Sequence, residues 1–544
     1  MAKGNHKKIR GRSHNLLEHY QPIDGVVDEM VDASGNPRPV WKDFIEALEE
    51  LGPEKLAQRF ARADQYLRDA GVYYRVYDKA GANEREWPLA HVPLLIVDQE
   101  WAAISAGLVQ RAELFEETIA DIYGPNRLVE KGILPPGLIA ASPEYLRPVV
   151  GTRPASGHFL HFCAFELGRG PDGRWWVLGD RTQAPSGAGF ALENRVATTR
   201  ALSDIYGEMH VHRLAGFFRR FRDALNGMAK VSGGRVAILT PGPLNETYYE
   251  HAYIARYLGI MLLEGEDLTV SGGRLMVRTV SGLMPVSVLW RRLDAAFADP
   301  LELRAESQIG TPGLVEAIRR GAVSAVNALG SGLMETRAMS AFLPKISREL
   351  RNEGLLLPSV ATWWCGRDAD RDHVLANLDR MVIGPALSTR LAFEDDDSTR
   401  LGSALVAGER AELIARIERD GGDFVGQEAV TLSTTPVYVG GWLEPRPAAL
   451  RVYLARTAEG WTVMPGGFAR VGFSLDPTAI AMQRGGQAAD VWVVSDRPVE
   501  RETLLPQEHD TFTRTLPGSL PSRAAENLTW LGRYIERSED TVRI

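Results

Sequence analysis

The sequence predicts a mixed α/β (α+β) fold, and three observations carry that reading. Residues 41–70, "WKDFIEALEELGPEKLAQRFARADQYLRDA", have helical periodicity, with Phe44, Leu48 and Leu51 on one face. "HFLHFCAFEL" (158–167) and "RWWVLGD" (174–180) read as two strands joined by the turn "GRGPDG". "GRVAILTPGP" (234–243), "ETYYEHAYIARYLG" (246–259) and "IMLLEGEDL" run strand, loop, helix, strand, the order of an α/β layer.

The remaining elements follow in chain order. A Gly-Pro break interrupts the first helical stretch after Leu51. "GVYYRVYD" (71–78) is rich in β-formers, and 95–124 reads mostly as helix ending at Gly124. After "DRTQAPSGAGFALENR" (180–195), the segment from Ala197 to Met228 reads as helix. "RLMVRTV" and "VSVLWRRLD" add strands, and "GLVEAIRRGAVSAVNALGSG" a helix, a strand and a Gly-rich loop. From about residue 400 a helix at 407–418 leads into "DFVGQEAV", "AALRVYLART", "GWTVMPGGFARV" and "DVWVVSD", which read as a mixed, β-rich module. Residues 501–522 are polar and Pro-containing, a linker. The last helix carries Leu528, Leu531, Tyr534 and Ile535 on one side, a stripe that needs a partner. The expectation is a chain cut from a longer protein, or a helix folded back on the body.

At 544 residues the chain is too long for one simple core and predicts roughly two to four subdomains. Its net charge of −8 leaves no basic excess to neutralise phosphates, which argues against a nucleic-acid binder. Cys163 and Cys365 sit in apolar surroundings and read as buried, reduced thiols of a cytoplasmic protein. The basic N-terminus has no apolar run behind it, and no stretch is long and apolar enough for a membrane span.

Walker A, GxSxG and HExxH motifs are absent. His158 and His161, three apart on an expected strand, would face opposite sides. Glu166 and Asp180 are more informative. If Leu167 pairs with Trp175, both acids lie on one face, about 13 Å apart. Glu193 and Asn194 follow the Pro-Ser-Gly turn. Such oxygen ligands suit Mg²⁺, and they equally suit acids capping a turn and a helix. "TPGPLNET" and "NALGSGLME" are loops where backbone amides favour anions. Arg291, Arg292 and Arg451 read either as clamps for phosphate or carboxylate or as structural ion pairs.

Seven blocks then occur in order: "YGPNRLVEKGILPP", "LHFCAFELGRGPDGRWWVLGDRTQAPSGAGFALENR", "LTPGPLNETYYEHAYIARYLG", "VNALGSGLME", "LPSVATWWCG", "VGQEAVTLSTTP" and "VMPGGFARV". Together, over roughly 70–495, they resemble the circularly permuted ATP-grasp family, which is distantly similar to glutathionylspermidine synthase. The end, "PSRAAENLTWLGRYIERSEDTVR", resembles the opening of an alpha-E helical domain. The resemblance implies a helical N-terminal extension (1–70), a circularly permuted ATP-grasp module (71–500), a linker (501–522) and the first alpha-E helix (523–544).

It also implies a function: an ATP-dependent carboxylate–amine ligase that works through an acyl phosphate, with a small-molecule or peptide carboxylate and an amine as partners. The alternative is a catalytically weak scaffold acting through a fused helical domain. ATP and Mg²⁺ are the implied cofactors. The implied metal ligands are Glu166, Asp180, Glu193 and Asn194. Ser186, Gly187, Arg195, Gln427 and Glu428 fall on the nucleotide side, Asn245 and Glu246 on the substrate side, and Arg292, Arg451 and Arg470 at the reacting groups. Two positions depart from the family pattern. Glu166 stands where Asp is expected, and Gly384 in "MVIGPAL" stands where a Lys or Arg commonly holds ATP phosphates, which implies either that another cation substitutes or that phosphate affinity is weak.

Overall fold

The computed structural model describes residues 15–78, 81–392, 398–473, 486–500, 502–504 and 520–543. At its centre is an eight-stranded sheet. Strands Leu89–Val97, Gln487–Val494, Phe468–Val471, Trp442–Thr457, Phe162–Arg169 and Trp175–Arg181 lie side by side in that order. Strands Thr434–Val439 and Gly460–Val463 also pair with Trp442–Thr457. The segments beyond residue 434 therefore do not form a module of their own. They interleave with strands from the first third of the chain, a partnership between distant segments that local periodicity does not carry.

Side chains alternate across this sheet. Phe165 and Leu167 enter one core with Leu108, Phe115 and Ile119 of helix Asp98–Ile122. Phe162 and Ala164 enter another, with residues of helices Pro39–Asp69, Ala188–Ala201 and Ala215–Ser232. The helix expected over 95–124 begins only at Asp98. The apolar run before it, buried almost throughout, is the strand Leu89–Val97, paired in parallel with Gln487–Val494. The Gly-Pro break is a kink at Gly52, whose φ of 74° is left-handed.

A second sheet holds the expected α/β layer. Arg235–Leu239 lies parallel to Met261–Leu263 and Gly282–Arg291, with helix Tyr248–Leu258 between the first two. A four-stranded antiparallel sheet, Thr362–Trp364, Phe424–Glu428, Met381–Pro385 and Arg400–Leu401, has its own small core around Ile383, Leu413 and Ile417.

Helix Ser522–Arg543 buries no residue. Leu528, Leu531, Tyr534 and Ile535 are each more than half exposed, and Arg523 ties the first turn to Asp267 and Glu264. Most of the expected linker, 501 and 505–519, and the N-terminal tail 1–14 lie outside the described residues. Among the described residues, no helix is long and apolar enough to cross a membrane. Both cysteines are buried and free.

Helix Ala188–Ala201 is pinned to the main sheet by one buried ion pair: Arg195 Nε donates to Asp490 Oδ2 at 2.7 Å, and Asp490 is fully buried. Arg195→Met leaves that carboxylate without its cation. The expected loss in denaturant unfolding is about 3–5 kcal/mol, part of it recovered by adding Asp490→Leu; a loss below about 1 kcal/mol contradicts the assignment.

Candidate functional site

The hairpin 162–181 does not have the expected register. Leu167 pairs with Val177, and a bulge between Glu166 and Leu167 sets Phe165 opposite Asp180 and Glu166 opposite Gly179. Opposed residues share a face, so Glu166 and Asp180 point to opposite faces of the sheet. Each is already bound. Asp180 takes two hydrogen bonds from Arg111 of helix Asp98–Ile122, at 2.6 and 2.7 Å, with both side chains buried. Glu166 is fully buried, accepts a hydrogen bond from Arg451 and forms an ion pair with Arg470 at 2.7 Å. Arg451 is its strand partner, and Arg470 pairs with Ala449 two residues away on the same strand, which puts all three on one face.

The Pro-Ser-Gly turn is also bound from within. Gly187 (φ 107°) precedes the first turn of helix Ala188–Ala201. A Cβ there would lie 2.1 Å from Tyr453 Oη, so only glycine fits. The amides of Gly187 and Gly189 donate to the fully buried Glu250 carboxylate at 2.8–3.1 Å. This helix N-terminus, a natural anion site, thus holds a protein carboxylate. Arg292 stands 3.5 Å from Glu250 and donates to Pro185 O. Arg451 and the Tyr453 hydroxyl donate to Ser186 O.

The triplet Glu193, Asn194, Arg195 splits three ways. Consecutive helical residues point about 100° apart, so adjacency in sequence separates them in space. Glu193 accepts from Tyr66 Oη at 2.9 Å, and burial followed by this carboxylate pushes the Tyr66 phenol up to about 12. Asn194 accepts from Trp87 Nε1 at 2.7 Å, and Arg195 meets Asp490. The four expected metal ligands do not converge. Among the described residues, no group of three or more His, Cys, Asp or Glu side chains stands ready for a metal ion.

What does converge is a cavity of about 390 Å³, lined from the main sheet by Arg181, Arg451, Phe468 and Arg470 and otherwise by loops and helices. Of the residues that the family resemblance implies for the site, Ser186, Gly187, Asn245, Glu246, Arg292, Arg451 and Arg470 line it. Arg181, Arg390, Glu144, Asp294, Glu335 and His251 line it too, and sequence reasoning missed them as site residues. Asp294 in "WRRLD", Glu335 in "GSGLME" and His251 in "ETYYEHAYIARYLG" lay inside segments already singled out; Glu144 gave no local signal. Burial pushes the Glu335 carboxyl up to about 7, against the lowering effect of Arg181 and of the Gln183 and Thr182 amides. Burial, then the Asp294 charge, raises Glu144.

Gln427 lines a smaller crevice that shares Glu335, Thr389 and Arg390 with the cavity. Its Nε2 donates to Thr362 Oγ1 at 3.2 Å, while Glu428 pairs with Arg380 at 3.3 Å outside both spaces. The same crevice explains Gly384. A Cβ on Gly384 would lie 2.1 Å from Arg337 Nη1. Arg337 is buried there and donates to Arg390 O and Thr399 Oγ1. The cation missing from the strand reaches the same place from another segment.

Comparison with known proteins agrees with this architecture. Residues 93–472 match the family model described as circularly permuted ATP-grasp type 2, and residues 520–544 match Alpha-E, a predicted α-helical domain with a conserved ER motif. An uncharacterized protein of Mycobacterium tuberculosis (strain H37Rv) is 35% identical over 535 residues, covering 95% of this chain and 59% of that protein. The chain therefore spans under two thirds of that relative. An uncharacterized protein of Synechocystis is 32% identical over 480 residues, covering 88% of this chain and 98% of its own length. Among solved structures, a glutathione synthetase-like effector from Globodera pallida in its apo form aligns with a TM-score of 0.50 at 13% identity, over 81% of this chain and 98% of that one. At that identity the likeness concerns the fold alone.

The raised Glu335 carboxyl has a consequence for stability. From pH 4.5, where the unfolded group titrates, to about 7, the folded protein keeps a proton that the unfolded chain has released. Stability contributed at Glu335 therefore falls as pH rises through this window. Denaturant titrations of the parent and Glu335→Gln are expected to diverge across it, the parent losing stability relative to the variant. Parallel curves contradict the assignment.

Proposed function

The chain belongs to the circularly permuted ATP-grasp type 2 family, and on that premise we propose that it is an ATP-dependent carboxylate–amine ligase. The observation that supports this most is the cavity itself. Five arginines, Arg181, Arg292, Arg390, Arg451 and Arg470, and four acids, Glu144, Glu246, Asp294 and Glu335, line one cavity. Such a space suits phosphates, a carboxylate and an amine in one place.

In this reading ATP passes its γ-phosphoryl group to a carboxylate oxygen and leaves as ADP. The amine nitrogen then attacks the acyl carbon. The C–N bond forms, the C–O bond to phosphate breaks, and the amine proton goes to solvent. No side-chain nucleophile is needed. The protein contributes position and fixed charge. Glu166 holds Arg451 and Arg470, and Glu250 stands beside Arg292, so these guanidiniums are oriented before ligand arrives. Mg²⁺ would neutralise phosphate charge, and it commonly binds through one or two carboxylates plus phosphate oxygens. Glu144 and Asp294 fit that hard-oxygen requirement better than the expected set, because both line the cavity. Arg337 is assigned the phosphate-holding role that Gly384 vacates, with Gln427 beside it on the nucleotide side.

Two observations favour a second reading. Glu250 fills the helix N-terminus, and Glu166 occupies two of the arginines, which suits a scaffold that binds nucleotide without turnover. In that case the exposed helix Ser522–Arg543 would carry the output through a helical partner domain.

Calorimetry with Mg·ATP tests both readings. The parent is expected to bind. Arg337→Ala is expected to weaken binding about tenfold or more by removing a charge-assisted contact, and Gly384→Ala to do so by displacing Arg337. A parent that does not bind, or unchanged affinity in both variants, contradicts the assignment. Binding without ADP release in a pool of acids and amines selects the scaffold.

A further inference from the structure

A directed chain of hydrogen bonds ends in the cavity. His251 is buried, and burial followed by the Arg292 charge holds its imidazole well below the usual histidine range, so the ring is neutral. Its Nδ1 lies 2.9 Å from Thr240 Oγ1 and its Nε2 3.2 Å from Thr247 Oγ1. The Thr247 hydroxyl donates to Asn245 Oδ1 at 2.8 Å. Its oxygen must therefore accept from His251, which puts the ring proton on Nε2. Nδ1 then accepts from the Thr240 hydroxyl, whose oxygen accepts from the Gly242 amide at 3.3 Å. The Thr247 amide gives Asn245 Oδ1 a second hydrogen bond at 3.0 Å. Both acceptor directions of that oxygen are used. A flipped Asn245 amide would set its own NH₂ against the Thr247 backbone N–H, which can only donate, so the side chain has one orientation.

Asn245, Thr247 and His251 line the cavity but not the crevice of Gln427 and Arg337. They share the cavity lining with Trp87 and Phe190, whose rings stack at 4.1 Å, and with Phe468.

We infer that Asn245 is locked as an N–H donor into the cavity and takes an oxygen of the acid substrate, a carboxylate or peptide carbonyl of an amino-acid-like or peptide acid whose side chain rests on Trp87 and Phe190. The inference rests on the ligase reading. Asn245 is the binding group; Thr247 and His251 are positioning residues. The same N–H would also suit a terminal phosphate oxygen of ATP, and the test separates the two sources.

The test uses the full chain with Thr247→Val, Thr247→Ser and Asn245→Asp. Side-chain ¹⁵N NMR reads the His251 tautomer. Saturation-transfer NMR reads binding of an equimolar pool of N-acetyl amino acids and dipeptides, and calorimetry reads Mg·ATP. The expected results are a neutral ring protonated on Nε2, pool binding weakened about tenfold by Thr247→Val, restored by Thr247→Ser and abolished by Asn245→Asp, with Mg·ATP affinity within about twofold throughout. A proton on Nδ1 overturns the relay. A pool that fails to bind the parent, or is indifferent to Asn245→Asp, overturns the substrate assignment, as does an Mg·ATP affinity that falls instead. If Thr247→Val does not fold, Thr247→Ser and Asn245→Asp still decide. Absence of Mg·ATP binding in the parent sinks the ligase reading alone, because tautomer and pool binding are read without nucleotide.

Discussion

The pairing of buried carboxylates with arginines sets which charges reach the cavity and in what orientation. Glu166 holds Arg451 and Arg470 on one face of the main sheet. Glu250 holds the amides of the helix start and stands beside Arg292. Asp180 holds Arg111 on the opposite face. Desolvating each charge is costly, and removing one partner costs more than removing both. These carboxylates therefore read better as fixtures for the cations than as open ligands. A guanidinium so fixed cannot swing away when the cavity empties, and it needs no reorganisation when an anion arrives.

That arrangement depends on one long strand. Trp442–Thr457 pairs with Phe162–Arg169 on one side and with Phe468–Val471 on the other. It thereby brings Glu166 together with residues about 300 positions later, Arg470 among them. The parallel strands Arg235–Leu239 and Gly282–Arg291 end where Arg291, Arg292 and the loop to Asn245 begin, so the second sheet delivers a different part of the same site. The four-stranded sheet adds the crevice wall with Gln427.

Local physics made much of this legible. Period-two and period-3.6 patterns located the hairpin, the α/β layer and the terminal helix, and the ordered sequence blocks pointed to the family. The misses have physical causes. A single bulge beside Glu166 reversed the facing of the hairpin acids, and bulges leave no reliable mark in sequence. Glu193, Asn194 and Arg195 were grouped by adjacency, which on a helix sends side chains apart. The strand Leu89–Val97 was merged into the helix behind it because a short apolar run suits either state. Gly384 left open whether another cation substitutes, because nothing local shows that Arg337 enters from 47 residues upstream. Arg451 stood out as a candidate clamp by residue type, whereas Arg470 and Asn245 were found from the family resemblance rather than from spacing.

Because the central claim is that a carboxylate is activated by phosphoryl transfer, the most direct measurement follows oxygen. The protein would be incubated with Mg·ATP, an amine pool and a pool of acids labelled with ¹⁸O in their carboxylates, and the released inorganic phosphate analysed by mass. The ligase account predicts ¹⁸O in the phosphate, since the oxygen bridging acyl carbon and phosphorus leaves with phosphorus. Phosphate carrying oxygen from water alone, from a protein that binds and consumes ATP, would contradict it.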